Sequence, residues 1–208
     1  PQSDKIVKVK FEAENFAVNQ YGKPKVNSLK NIRIAIENDN ILKNQFVFNS
    51  FTQEIEIRTP FKLKGVEIEN DGLKEVYITA ILEHFEEKYD VLFDSRLLVN
   101  VINKIAYENK YNPVQDFMED CYKNWDKVKR ARNLFPDYLG AKESDLTERM
   151  TKLFFVGAVS KVYRPYDKFD FVLDLVGGQG SGKTTFLTKM GQGWYTDSMK
   201  NFDDKDQL

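Results

Sequence analysis

Cysteine and histidine are nearly missing: the 208 residues hold one of each, Cys121 and His84. A single thiol excludes an internal disulfide and fits a reducing, cytoplasmic setting. With no Cys/His cluster, a zinc site of the usual ligand spacing is not expected either. Nothing approaches the run of about 18 consecutive apolar residues that would mark a transmembrane helix, so no membrane association is expected. Charge of one sign is not in excess: 31 Lys and Arg stand against 32 Asp and Glu, for a net charge of −1. Contact with nucleic acid would therefore have to come from a local patch. Internal repeats and low-complexity tracts are absent. The start, Pro1-Gln2-Ser3-Asp4-Lys5, has no signal-peptide shape and no initiator Met, and reads as the edge of a trimmed piece. What the chain does have is aromatic mass, with 16 Phe and 10 Tyr in a composition typical of a folded globular protein.

Read in order, the pattern predicts an α+β chain. Ile6, Val7, Val9 and Phe11 alternate loosely and suggest a strand between Lys5 and Phe16. From Ser28 a helix is expected, with Leu29, Ile32, Ala35 and Ile36 on one face. Phe46-Val47-Phe48 and Glu54-Ile55-Glu56-Ile57 read as a hairpin that Pro60 closes. Leu73, Val76, Tyr77, Ala80, Ile81 and Phe85 then fall at helical spacing. His84 sits at the edge of that stripe, and with no partner nearby in sequence it reads as a packing residue. Asp94-Ser95 caps a further helix with Leu98, Val101, Ile102 and Ile105 inward. Asn112-Pro113-Val114-Gln115 is a helix start, followed by Phe117, Met118, Cys121 and Tyr122, with Cys121 expected to be buried.

The stretch from Lys123 to Arg132 is the most basic in the chain. Lys123, Lys127, Lys129, Arg130 and Arg132 face one acid, Asp126, five cations against one anion for +4. A solvated helix face is the plain reading, and contact with a phosphate backbone is the functional one. Phe135-Pro136-Asp137 reads as a break. Ser144 or Asp145 then opens a long helix whose stripe is Leu146, Met150, Leu153, Phe154, Gly157 and Ala158. Small residues at 157 and 158 predict close approach of a neighbouring element.

The most specific chemistry lies late in the chain. Gly177-Gly178-Gln179-Gly180-Ser181-Gly182-Lys183-Thr184 has the form G-x-x-x-x-G-K-[ST], a phosphate-binding P-loop. The β-prone run Phe171-Val172-Leu173-Asp174-Leu175-Val176 precedes it, and Thr185 to Met190 is helical in character with Gly191 as a stop. Strand, glycine-rich turn and helix N-terminus is the order that lets backbone N–H groups and a helix dipole meet a phosphate. Gly177, Gly178, Gln179, Gly180, Ser181, Gly182, Lys183, Thr184 and Thr185 are the expected nucleotide-binding residues. Lys183 is the one catalytic candidate, directed at the β/γ-phosphates of ATP, and Thr184 is the expected Mg²⁺ ligand. The residues from Thr184 to Leu208 hold no apolar strand ending in paired acids. Asp203, Asp204 and Asp206 read as an exposed loop. The expected organisation is an accessory domain over residues 1–110, a helical lead-in over 111–168, and over 169–208 the first strand, loop and helix of an α/β P-loop core truncated before its Walker B carboxylates.

Several short motifs occur together in order: Asn112-Pro113, Trp125-Asp126, Tyr138-Leu139-Gly140-Ala141, Lys168-Phe169-Asp170, the P-loop with Gln179, Trp194-Tyr195-Thr196-Asp197-Ser198, and Lys205-Asp206. Over residues 112 to 208 this set resembles the virulence-associated protein E family, P-loop ATPases of bacteriophages, plasmids and pathogenicity islands that are similar to superfamily 3 replicative helicases. Lys127 stands where that family often has Gly, and Pro165-Tyr166-Asp167 replaces its usual Pro-Gly-Cys-like turn. The resemblance implies a fragment of a mobile-element DNA replication ATPase, a hydrolase working on DNA as a homo-oligomeric ring. It also implies that this fragment, without Walker B acids and an arginine finger, turns over ATP feebly. Two other classes remain open on the residues alone: a non-catalytic DNA- or partner-binding module, and a fragment of a P-loop kinase or GTPase.

Overall fold

The computed structural model describes residues 15–197. The strand expected around Ile6, Val7, Val9 and Phe11 and the acids Asp203, Asp204 and Asp206 lie outside the described residues. Two compact units divide the chain, Pro1–Phe117 and Met118–Leu208. Seven α-helices and five short strands among the described residues make it α+β, as the sequence pattern predicts.

In the first unit, α1 (Leu29–Glu37) starts where the Ser28 hydroxyl accepts from the Asn31 N–H at 3.3 Å. Ile32, Ala35 and Ile36 are buried on the expected face. Asn31 shares that face, a position no apolar pattern would indicate. Its side chain accepts from Ala17 N–H at 2.7 Å and donates to the carbonyls of Ala17 and Lys25 at 2.9 and 3.1 Å. Those bonds replace the water that burial removes, and they fasten the preceding loop to the helix.

The expected hairpin forms from β1 (Phe46–Asn49) and β2 (Glu54–Ile57). A second one, β3 (Phe61–Leu63) with β4 (Val66–Ile68), follows Pro60 and was not expected. Strands of three residues are too short to display an alternating pattern. Helices α2 (Glu75–Tyr89) and α3 (Ser95–Glu108) pack on these strands, burying Tyr77, Ile81 and Phe85 from one and Leu98, Ile102 and Ile105 from the other. Asp94 caps α3 by accepting from Leu97 N–H at 3.0 Å. The two-residue β5 (Lys110–Tyr111) joins the free edge of β1 in parallel, giving the order β2-β1-β5.

His84 has the partner that its sequence neighbours do not supply. The turn after α1 brings Asp39 beneath α2, where its Oδ2 lies 2.8 Å from His84 Nε2 and accepts from Lys88 Nζ at 2.6 Å. Asp39 Oδ1 accepts from the N–H groups of Ile41 and Leu42 at 2.9 and 3.1 Å. Burial pushes this carboxyl's pKa up. The bonds from His84, Lys88 and the two amides outweigh it and hold the group well below the usual carboxylate range.

Helix α4 (Pro113–Lys123) begins as predicted, with Asn112 Oδ1 accepting from the N–H groups of Val114 and Gln115 at 3.0 and 3.2 Å. Only Val114 is buried on it, and Cys121 is exposed rather than packed. The apolar layer reaches the first turn of α4 and not the turn that carries the thiol.

In the second unit the basic stretch is not a helix face. Residues 125–130 form a loop, and Lys127 has φ +66°, which a right-handed helix does not admit. The expected break at Pro136 is instead a short helix, α5 (Leu134–Leu139). Pro136 stands in its first turn, where an N–H needs no intrahelical acceptor. Phe135 is buried, its ring centroid 6.1 Å from that of Phe154 on α6 (Asp145–Tyr163) and 5.8 Å from that of Phe186 on α7 (Lys183–Gly191). One aromatic cluster thus ties three helices together.

From Val172 to Val176 the run keeps a period-two pattern, with Leu173 and Leu175 half-buried and Val172, Asp174 and Val176 exposed, while Phe171 is exposed as well. The strand expected there does not form, because among the described residues nothing pairs with its backbone. A strand exists only through its ladder partners.

Candidate phosphate-binding site

The P-loop residues come together as a turn feeding directly into α7. Gly180 and Gly182 both have φ +82°, left-handed conformations that glycine adopts without steric cost. Ser181 N–H donates to the Gly178 carbonyl at 3.4 Å, and Phe186 N–H to the Gly182 carbonyl at 2.8 Å, so Gly182 caps the helix. The first N–H groups of any helix lack intrahelical acceptors, and here they follow straight on from the glycine turn.

Lys183 is half-buried, and its Nζ donates to the carbonyls of Gly177 and Gly178 at 2.8 and 3.0 Å and to Ser181 Oγ at 3.0 Å. The ammonium is therefore folded over the loop. Gln179, Thr184 and Thr185 are exposed around it. A cation, a row of backbone donors and a hydroxyl converge on one short segment, a set suited to an anion with several oxygens.

Beside the loop lies a cavity of about 540 Å³, lined by Phe154, Gly157, Phe169 and Leu173 together with Lys183 and Thr184. Among the described residues its lining holds no carboxylate. Phe154 and Gly157 belong to the stripe expected on α6 and Leu173 to the expected strand, but that they meet as one apolar wall was not legible in the sequence. A Cβ built on Gly157 would sit 2.2 Å from Phe169 Cζ. Gly157→Ala is therefore expected to lower the melting temperature of the second unit, because overpacking of about 1–3 kcal/mol exceeds the ~1 kcal/mol gained in helix propensity. The companion change Phe169→Leu should restore part of the loss; equal melting of wild type and Gly157→Ala would contradict the contact.

The other candidate, the basic stretch, is partly neutralised. Arg130 makes a two-pronged pair with Asp126 at 2.9 and 2.6 Å, Arg132 pairs with Glu148 at 2.9 Å, and Lys123 lies 3.5 Å from Asp120. The Arg130 guanidinium, helped by Val128 N–H, holds the Asp126 carboxyl down to about 2. Among the described residues, Lys127 and Lys129 have no acidic partner.

The model of the Virulence-associated protein E-like domain matches residues 118–208, the same span as the second unit. This segment belongs to the virulence-associated protein E family. A search of curated proteins returned no match to the chain. Within the virulence-associated protein E domain, the backbone after Trp125-Asp126 is left-handed, and Lys127 holds it at φ +66°, a conformation that suits glycine.

Proposed function

We propose that Gly177 to Thr185 binds the phosphates of ATP, and that the intact protein couples ATP hydrolysis to work on DNA in the manner of a mobile-element replication helicase. The observation that supports this reading is the complete P-loop: two left-handed glycines, a helix N-terminus and a lysine whose ammonium already sits over the loop. On binding, Lys183 exchanges three neutral acceptors for charged phosphate oxygens. The loop N–H groups orient those oxygens, and the dipole of α7 favours their charge. The Thr184 hydroxyl, exposed in the first turn, fits the role of an Mg²⁺ ligand, and the ion would neutralise charge on the phosphates. Action in the cytoplasm and assembly into a homo-oligomeric ring are part of the same proposal, and they rest on the family.

Calorimetric titration of residues 1–208 with ATP, with and without Mg²⁺, tests this. Saturable one-to-one binding strengthened by Mg²⁺ is expected, and no heat at millimolar ATP would overturn the reading. Because no carboxylate lines the cavity beside Thr184 among the described residues, phosphate release by the same chain is expected to stay near background. Turnover at an ordinary ATPase rate, lost in Lys183→Ala, would contradict that.

A second reading, a non-catalytic DNA-binding module, has an observation of its own in the aromatic and cationic loop after α4.

A further inference from the structure

We infer that Tyr122, Trp125 and Lys127 form a stacking platform for single-stranded nucleic acid, with Lys129 as its second phosphate contact. The inference deepens the DNA reading above and rests on it. At the end of α4, Tyr122 is 70% exposed, and Trp125, at 38%, is fixed by donating from Nε1 to the Val128 carbonyl at 3.0 Å. The two ring centroids are 6.5 Å apart with their planes 30° from parallel. Lys127 Nζ lies 5.3 Å from the Tyr122 centroid and 4.9 Å from that of Trp125.

Exposed rings are the costly way to finish a surface helix, and here they occur beside two lysines without acidic partners. The backbone adds an independent observation. Lys127 adopts φ +66°, where glycine would be relaxed and a long side chain is strained. The strain places a cation against both rings. Cation–π contact alone recovers little at so exposed a site. A base stacked on Tyr122, with its phosphate on Lys127 and Lys129, uses all three features together. Duplex DNA keeps its base faces covered and could use only the lysines, so single strands are the matching partner.

The loop is pinned without Tyr122 and Lys127. Asp126 accepts from Val128 N–H at 3.0 Å and holds Arg130 through both oxygens, so the ring and the lysine can be changed while the turn stays in place.

The test is fluorescence anisotropy of a labelled oligo-dT of about 20 nucleotides with residues 1–208, against a duplex of the same length. Emission of Trp125 in a Trp194→Phe background serves as the second readout. Wild type is expected to bind the single strand more tightly than the duplex, with quenching of Trp125. Tyr122→Ala should weaken oligo-dT binding about tenfold and leave duplex binding unchanged, while Tyr122→Phe should bind as wild type. Lys127→Gly should melt roughly 2–5 °C higher, because strain is relieved, yet bind oligo-dT several-fold more weakly. Salt-dependent DNA binding that Tyr122→Ala and Lys127→Gly leave untouched would overturn the platform and spare the DNA reading. Absence of any binding by wild type at low salt would overturn both.

Discussion

Lys183→Ala is expected to abolish measurable ATP binding, a loss of roughly 100-fold or more, while the thermal melt changes little. The ammonium is the single cation of the loop and contacts three of its oxygens, which places it where phosphate oxygens would converge. A charged hydrogen bond is worth about 1.5–3 kcal/mol, and Lys183 would make more than one. The stability effect is small because the bonds lost on mutation go to exposed loop acceptors that water can satisfy. Lys183→Arg is expected to fail as well, since a wider planar guanidinium replaces a compact ammonium in a tight turn. Thr184→Ala should behave differently: nucleotide still binds, and the strengthening by Mg²⁺ is lost. Unchanged affinity in Lys183→Ala would remove the loop from nucleotide binding altogether.

How far sequence reading reaches depends on whether a feature is local. The P-loop turn, the caps at Ser28, Asp94 and Asn112, and the stripes of α1 (save Leu29, which is exposed) and α3 each follow from a few neighbouring residues, and each is present. Features that need a distant partner were not legible. Phe171–Val176 has the composition of a strand and no ladder to join among the described residues. His84 finds Asp39 only because the turn after α1 lies beneath α2. Asn31 is buried among apolar neighbours because Ala17 and Lys25 satisfy its amide. Pro136 sits inside α5, since a first-turn proline breaks no helical bond. In the basic stretch, composition counted five cations, and geometry leaves two without acids. The left-handed backbone at Lys127 could have been suspected, because the resemblance put glycine at that place.

Asp39→Ala is expected to destabilise the first unit by about 3 kcal/mol, lowering its melting temperature by on the order of 10 °C. Four donors converge on this one buried carboxylate: His84, Lys88 and the N–H groups of Ile41 and Leu42. Removing it leaves Lys88, His84 and two amides without their acceptor. Because the Lys88 side chain is 35% exposed, water can meet part of the loss, which therefore falls at the low end for a broken buried pair. Asp39→Asn should cost less, because an amide oxygen can still accept from the backbone. The pH dependence separates this network from mere loss of volume. The folded carboxyl titrates below its unfolded value of about 3.9, so its contribution is complete above roughly pH 5 and disappears as pH falls through the folded value. The gap in stability between wild type and Asp39→Ala should therefore be widest near neutrality and shrink steadily below about pH 4. For Lys88, burial pulls the pKa down and its interactions with Asp39 and Tyr89 together more than restore it, leaving it raised, so the gap should persist into the alkaline range. Denaturant melts followed by circular dichroism between acid and neutral pH measure this, and a gap independent of pH would mean that Asp39 acts through packing rather than charge.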